Sequence, residues 1–472
     1  MREHDLFIGG RWVTATRYDV CSPFDGRVVA RVARAGETEL RAALDAAAAA
    51  REAMASLPPH RRAEIVELAA RLVGELREEL ASVLVEEAGK PIRLARIEAE
   101  RCAETLADAA RVAREPAAEL LDLGGFPSGE GRLGLLRRFP VGVVLGIAPF
   151  NFPLNLVAHK LAPAIAAGCP IVLKPASQTP SPALLLAEVL HQAGLPEGAA
   201  NVVACRGQDA AALLRDPRVK LLTFTGSAEV GWELKRQLWD RKVALELGGN
   251  AAVIVEPDCG ELAAVASRIA AGAYAYAGQS CISVQRVLVH ESILAPSRDA
   301  LIAAATSLSA GDPAAEEVWC GPLITPADAE RVASMIAEAE HRGARLLTPR
   351  RRQDSVVWPA VLERVPHDAP LWAEEAFGPV ASLAPYRTFD DALAVVNESR
   401  FGLQAGVFTS DLAKVQRAFE RLEVGGVIQG DASAWRSDPM PYGGVKHSGI
   451  GREGARFAVE EMTEPRLLVL RR

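Results

Sequence analysis

After Val141 the chain settles into short apolar runs separated by helix-forming stretches, and no other feature of the sequence limits the fold as strongly. Val143–Ala148, Ile171–Leu173, Asn201–Ala204, Leu221–Thr225 and Val243–Leu247 read as strands, with helices Pro182–Gln192 and Ala228–Trp239 between them. Strands that alternate with helices predict a parallel sheet wound on both faces, because parallel neighbours need a crossover. The pattern resumes past Ala251 with strands Val253–Glu256 and Val284–His290 and helices Ile293–Ser309 and Ala327–Arg342. Strand Gly406–Thr409, helix Leu412–Arg421 and strand Gly426–Gln429 follow. A chain of 472 residues is too long for a single core. The expectation is an α/β fold of two doubly wound domains, joined near Gly248-Gly249.

Ahead of this region, Glu37 to Arg114 has apolar residues at helical spacing, broken at Pro58-Pro59 and at Gly89-Lys90-Pro91. Two segments fit neither pattern. Gly131–Phe139 reads as a strand or hairpin arm and Pro465–Arg472 as a terminal strand. Short apolar strands flanked by arginine need an edge to pair with, and another subunit can supply one.

Charge and composition exclude several classes. The chain has 53 basic and 60 acidic residues, a net charge of −7, which gives no electrostatic reason to expect nucleic acid or an anionic membrane as partner. Met1–Trp12 is charged from its second residue and has no apolar core of signal-peptide length. The most apolar region, Val141–Leu173, is interrupted by Asn151, Asn155, His159 and Lys160, so no membrane span is expected. Seven scattered cysteines make no disulfide framework, and no CxxC pair or Cys/His cluster points to a metal. The expectation is a cytoplasmic enzyme with reduced thiols, one of them catalytic.

Five short motifs carry candidate chemistry. Gly278-Gln279-Ser280-Cys281 sets a thiol after a Gly turn, near what reads as a helix start, where amide dipoles would favour thiolate. Taken alone, a Cys after Gly is more often a small buried residue. Glu246-Leu247-Gly248-Gly249 closes an apolar strand with a carboxylate aimed at the usual ligand crevice, or simply at water. In Pro149-Phe150-Asn151-Phe152-Pro153 the flanking prolines fix the direction of the Asn amide, suiting it to an oxyanion; an Asn turn is the plainer reading. Phe224-Thr225-Gly226-Ser227, then Val230-Gly231, exposes amides to a phosphate at a helix start, although it is not GxGxxG. Glu375-Ala376-Phe377-Gly378-Pro379 sets an acid beside an aromatic before a rigid turn.

Together these motifs resemble one family, the aldehyde dehydrogenases, in order and in spacing. The resemblance runs from Phe7-Ile8-Gly9-Gly10-Arg11-Trp12 to Tyr442-Gly443-Gly444-Val445-Lys446-His447-Ser448-Gly449. It implies that Cys281 is the nucleophile, Glu246 the general base, and Asn151 the oxyanion donor together with the Cys281 backbone N–H. Lys174 and Ser177 fall where the family holds the adenosine ribose, and Gly226 and Ser227 under the pyrophosphate. Glu375 is implied at the nicotinamide ribose and Phe377 beside the nicotinamide, with Pro149, Phe150, Gly207, Phe224, Val230 and Leu247 completing the cofactor site. The cofactor is NAD or NADP, and NADP is expected because many NAD-specific relatives have Glu where Ser177 stands. The implied domains are a Rossmann-like cofactor-binding domain (1–120 and 141–247), a catalytic domain (248–445), and an oligomerisation arm with the C-terminal strand (121–140 and 446–472). The arm implies a homodimer or a homotetramer.

The chemistry accounts for these residue types. Hydride cannot easily leave a planar aldehyde carbon, so a nucleophile first makes it tetrahedral, and a thiolate also departs well afterwards. The oxyanion needs donors in place beforehand. Water attacks the thioester only when a base takes its proton. A CoA-acylating relative is a rival reading, but such enzymes generally lack the carboxylate found here as Glu246. A plain esterase would leave Lys174, Glu375 and Phe377 without a task, and a crystallin-like structural role would tolerate the loss of Cys281 or Glu246. For the substrate, a helix over Phe152–Ala167 would put Asn155 and His159 on one face with Asn151, so His159 either lines the aldehyde tunnel or packs on the helix surface. Trp435, Arg436 and Tyr442 lie in the segment that the family uses for the tunnel's far wall. Phosphorylated-glyceraldehyde and succinate-semialdehyde enzymes often place Arg immediately before the Cys or six residues before it; Ser280 and Ala275 stand there, which counts against both. The expected substrate is a short polar or anionic-tailed aldehyde.

Overall fold

A computed structural model of the chain describes residues 1–115 and 118–471. Its first large sheet has eight strands, and five neighbours run parallel in the order Lys242–Glu246, Val219–Thr225, Val143–Ile147, Ile171–Lys174, Ala200–Val202. Antiparallel additions close both sides: Gly449–Ile450 beside Lys242–Glu246, and Leu6–Ile8 with Arg11–Val13 beyond Ala200–Val202. Strand order reverses between Val143–Ile147 and Val219–Thr225, which opens a crevice at their carboxyl ends. The second sheet has seven strands in the order Arg345–Leu346, Ala360–Glu363, Val380–Tyr386, Val284–His290, Ala251–Val255, Gln404–Phe408, Gly426–Gln429. All run parallel except Arg345–Leu346. Every residue of Val143–Ile147 and of Ala251–Val255 is buried, as a strand covered on both faces requires, and that is why these strands read as unbroken apolar runs.

The N-terminal helical region is four helices: Glu37–Ser56, Pro59–Glu75, Arg77–Ala88 and Ile92–Arg114. Two of the breaks fall at the Pro and Gly-Pro signals, while the third, at Leu76, has neither residue to mark it. The helix expected over Phe152–Ala167 begins at Asn155, after a turn through Phe152-Pro153, and ends at Gly168 in the left-handed region. It is buried on all sides, so its apolar and polar positions define no outward stripe.

A separate three-stranded sheet projects from this body, in the order Thr463–Arg471, Arg132–Pro140, Ala118–Asp122. Thr463 faces Pro140 and Arg471 faces Arg132, so the terminal strand pairs along its whole length; Arg472, the end of the expected strand, lies outside the described residues. The arm therefore takes in Ala118, ahead of the expected start at 121. The segment expected as arm from 446 onward is divided, because Gly449–Ile450 belongs to the first large sheet. Among the described residues, no helix is long and apolar enough to cross a membrane, and no group of three or more His, Cys, Asp or Glu side chains could hold a metal ion.

Candidate active site

The carboxyl ends of the first sheet face a cavity of about 860 Å³ whose opposite wall comes from the second sheet. Pro149, Phe150 and Asn151 enter it after strand Val143–Ile147, and Lys174 and Ser177 at and after Ile171–Lys174. Phe224, Gly226, Ser227 and Val230 enter from the next strand and the helix Ala228–Arg236, and Glu246 and Leu247 from the strand beyond. Cys281, Glu375, Phe377, Arg436 and Tyr442 complete it from the other side, so residues 149 to 442 converge on one space. Asn155 also lines it. His159, Trp435 and Gly207 do not. His159 sits one layer back, fully enclosed, because the all-buried helix turns it toward Asp438. Trp435 points away and is 50% exposed on another face. Gly207 opens the helix Gly207–Leu213 away from the cavity.

Cys281 does not stand at a helix start. A 3₁₀ turn, Ala275–Gly278, precedes it and the strand Val284–His290 follows, so no helix dipole is aimed at the thiol. Tyr276, Ala277 and Gly278 are consecutively left-handed, with φ of 52°, 54° and 67°. Such backbone is costly for the two non-glycines and persists only where the surroundings fix it. Tyr276 Oη donates to the Ala88 carbonyl at 2.9 Å. Gln279 Nε2 donates to the carbonyls of Tyr276 and Pro322, and its Oε1 accepts from Ile324 N–H at 2.9 Å. A Cβ on Gly278 would stand 2.2 Å from the Gly378 carbonyl oxygen. Asn151 Nδ2 donates to the Gln279 carbonyl at 3.0 Å while its Oδ1 accepts from Phe152 N–H, so one amide N–H remains to face the cavity. The Cys281 Sγ lies 2.8 Å from Tyr442 Oη, and burial pushes the thiol up to about 12.

Glu246 ends its strand opposite Gly449, and a Cβ on Gly443 would approach its Oε1 to 2.8 Å, so the segment 442–449 wraps the carboxylate closely. Its Oε2 is buried without a hydrogen-bond partner. Burial and the neighbouring Glu453 carboxylate hold Glu246 well above the usual carboxylate range. Burial also acts on Glu453, but His159, Arg436 and Lys160 pull it below that range. The two carboxyls are therefore shifted in opposite directions, Glu246 up and Glu453 down. Lys160 Nζ donates to Thr225 Oγ1 at 2.7 Å and lies 3.8 Å from Glu453 Oε1. Glu453 and Lys160 escaped the sequence reading, the first because an acid after Gly451-Arg452 looks like a solvated loop.

Beside this pair the cavity is basic. Arg436 Nη2 donates to Glu453 Oε2 at 3.1 Å, and its guanidinium lies 3.7 Å from the Tyr442 ring centroid. Its Nε, 3.8 Å from Asp438 Oδ1, has no hydrogen-bond partner. Asp438 receives Arg101 in a two-pronged pair, at 2.9 and 2.7 Å, together with Asn155 Nδ2 at 3.1 Å, and His159 Nε2 lies 2.8 Å away. Hydrogen bonds from His159 and Arg101 hold the Asp438 carboxyl far below its ordinary range despite burial. Arg101 lines the cavity as well.

The rest of the cavity is lined by the strand-to-helix turn Phe224–Ser227 and by Glu375 and Phe377. A Cβ on Gly226 would meet the Phe224 ring at 2.7 Å, and one on Gly231 would meet the Leu247 side chain at 2.4 Å, so the helix packs directly on the sheet at its first turn. Ser227 caps that helix without a side-chain capping bond, which leaves first-turn amides free for a phosphate. Glu375 Oε1 accepts from Gly249 N–H at 2.9 Å across the junction, and burial raises its carboxyl to about 7. Phe150 and Phe377 meet edge to face, with centroids 5.9 Å apart.

A sequence profile of the aldehyde dehydrogenase family matches residues 12–468. The chain belongs to the aldehyde dehydrogenase family. Aspartate-semialdehyde dehydrogenase 1 of Pseudomonas canavaninivorans is 41% identical over 458 residues, 97% of either chain. Aldehyde dehydrogenase 21 of Physcomitrella patens, solved with the reaction product succinate, is 40% identical with a TM-score of 0.98, covering 100% of this chain and 98% of that one. The glyceraldehyde-3-phosphate dehydrogenase of Methanocaldococcus jannaschii, solved with NADP, is 36% identical with a TM-score of 0.92, covering 98% and 100%. Like other non-acylating aldehyde dehydrogenases, this enzyme oxidises an aldehyde to a carboxylic acid with NAD(P)+ through a cysteine. The two Rossmann-like α/β units and the projecting strands are the architecture of that family.

Proposed function

We propose that the enzyme oxidises a short aldehyde with an anionic tail, with Cys281 as nucleophile and Glu246 as the base that activates water. The observation that carries the substrate class is the pair of guanidinium groups, Arg101 and Arg436, in the cavity that also holds Cys281. Arg436 and Arg101 both line the cavity and Asp438 fixes Arg101 in place, so a carboxylate, sulfonate or phosphate arriving there meets two positioned cations. Aspartate semialdehyde, succinate and glyceraldehyde 3-phosphate, named for the relatives above, each carry a carboxylate or phosphate, which supports the reading. The missing Arg at 275 or 280 is then no obstacle, because the positive charge comes from elsewhere.

In the reaction, the Cys281 sulfur adds to the aldehyde carbon, and the free N–H of Asn151 and the Cys281 backbone N–H receive the oxyanion. Nicotinamide held beside Glu375 and Phe377 would supply the hydride acceptor, and loss of hydride from the tetrahedral adduct would leave a thioester on Cys281. Glu246 takes a proton from water as the water attacks the thioester carbonyl, and the thiolate departs. The same carboxylate disfavours the acyl-CoA route, and the cofactor groove makes ester hydrolysis a side activity. Lys174 and Ser177 hold the adenosine ribose and admit NADP, Gly226 and Ser227 the pyrophosphate, and Glu375 and Phe377 the nicotinamide end. The enzyme associates with itself through the projecting sheet. Its seven unpaired cysteines suit a reducing compartment such as the cytoplasm.

Steady-state kinetics on succinate semialdehyde, aspartate semialdehyde, lactaldehyde and hexanal tests the substrate class. The acidic aldehydes should give the highest kcat/KM. Arg436→Gln and Arg101→Gln should raise KM for them by about ten- to a hundredfold, as loss of a charged hydrogen bond does, and leave the KM of hexanal unchanged. Hexanal as the best substrate would overturn the assignment.

A further inference from the structure

Partial burial alone would leave Cys281 a poor nucleophile, because a half-buried thiolate has lost much of its hydration, and the structure supplies no helix terminus to compensate. The side chain that touches the sulfur belongs to Tyr442, whose Oη lies 2.8 Å from Sγ. Tyr442 is itself buried, at a bridge pairing its backbone with Glu453. The far side of its ring carries the Arg436 guanidinium at 3.7 Å from the centroid, which pulls electron density from the phenol and strengthens its O–H as a donor.

We propose that Tyr442 is a catalytic residue: its hydroxyl donates to the Cys281 sulfur and stabilises the thiolate, with Arg436 polarising the ring behind it. When the thiol ionises, its proton passes to water in the cavity, and Tyr442 keeps its own proton throughout, so the sulfur gains a donor and nothing is oxidised or reduced. The same hydroxyl steadies the sulfur again when it leaves the thioester as thiolate. Arg436 thus serves both ends of the substrate, facing the anionic tail directly and the reacting sulfur through Tyr442. A phenylalanine would fill the wall equally well and provide none of this.

The electrostatics agree in sign. The Tyr442 contact lowers the Cys281 thiol, as a hydroxyl donating to a thiolate would. Arg436 also lowers the thiol, and the carboxylates of Glu375 and Glu246 raise it. These are the charged groups that face the sulfur.

The inference rests on Cys281 being the attacking thiol, and Cys281→Ala checks that separately: aldehyde-dependent NAD(P)H production that survives in this variant removes the nucleophile assignment, whatever Tyr442 does. With that established, the rate of Cys281 alkylation by iodoacetamide is followed against pH in the full-length enzyme without cofactor. Tyr442→Phe should move the half-maximal pH upward by about one unit or more and lower kcat about tenfold, with KM for the aldehyde little changed. Replacing Tyr442 with 3-fluorotyrosine, a stronger donor of nearly the same size, should move the alkylation profile the opposite way. A packing role predicts a KM change with an unmoved profile. Coincident profiles for wild type, Tyr442→Phe and the fluorotyrosine enzyme would overturn the proposal.

Discussion

Glu246 combines an unpartnered buried oxygen with a neighbouring carboxylate, and both raise its affinity for a proton. A base with a raised pKa loses its working form as pH falls through that raised value, so thioester hydrolysis should fail well above the pH at which an ordinary carboxylate protonates. Rapid mixing of Glu246→Gln with aldehyde and cofactor should show a burst of reduced cofactor followed by a stall, without that acid limb. Normal steady turnover would assign the base elsewhere. Ser177 bears on the cofactor in a different way. Its Oγ donates to the Cys205 carbonyl at 3.3 Å, a long bond that a phosphate oxygen can replace, and Lys174 lies in the same cavity. A Glu at 177 would face a 2′-phosphate as a like charge, costing on the order of 4 kcal/mol at about 4 Å and an effective dielectric near 20. The ratio of NADP to NAD efficiency should fall at least about tenfold in Ser177→Glu, after solvent reduces that figure. An unchanged ratio would place cofactor choice outside Ser177.

At the scale of elements, the turn before Cys281 is the part most dependent on distant support. Gln279 ties it to the Tyr276 and Pro322 carbonyls and to Ile324 N–H, and its own carbonyl holds Asn151. Gln279→Ala leaves the Pro322 carbonyl and Ile324 N–H without that partner, at about 1–3 kcal/mol each. It should lower Tm and cut kcat about a hundredfold, with cofactor binding by fluorescence unchanged. Retained kcat would mean that the left-handed run holds itself. The turn also shows where the sequence could be read and where it could not. Gly278-Gln279-Ser280-Cys281 was visible as a motif, yet the expected helix start was wrong, because Gly before Cys fits a left-handed turn as well as a helix cap. Buried parallel strands announced themselves as apolar runs, whereas Val380–Tyr386, interrupted by Ser382 and Pro385, did not. Spacing to Asn155 left His159 either lining the tunnel or packing on the helix surface, and spacing gives direction only on a helix with an outer face, which this one lacks. Arg101 stayed hidden because an Arg in an amphipathic helix reads as its solvated side; only the fold brings Asp438 to it.

At the scale of the whole molecule, the chain crosses between the two large sheets at Leu247–Asn250 and returns through Gly443–Glu453, so both halves of the site are bound by covalent and hydrogen-bonded crossings. Ser448 Oγ donates to the Gly248 carbonyl at 2.7 Å and accepts from Gly402 N–H, which clamps one crossing to the other. The projecting sheet has no comparable cover. Leu467, Leu468, Val469 and Leu470 are consecutive and 46%, 53%, 42% and 48% exposed, so both faces of the terminal strand present apolar side chains to solvent. Consecutive apolar residues exposed on an edge strand invite pairing with another chain, and a strand this long is rarely left bare. Flanking Arg466 and Arg471 keep it soluble without hiding it. The expected occupant is a second copy of this chain, since the same surface on each copy can close a two-fold contact. Light scattering behind size exclusion should therefore show wild type at a multiple of 50.3 kDa. Leu468→Glu with Leu470→Glu, which charges one face of the strand and leaves its pairing with Arg132–Pro140 intact, should shift the enzyme toward 50.3 kDa. Because the cavity lies within one chain, that variant should keep Cys281 alkylation and cofactor binding. A wild type that runs at monomer mass at micromolar concentration would refute the self-association.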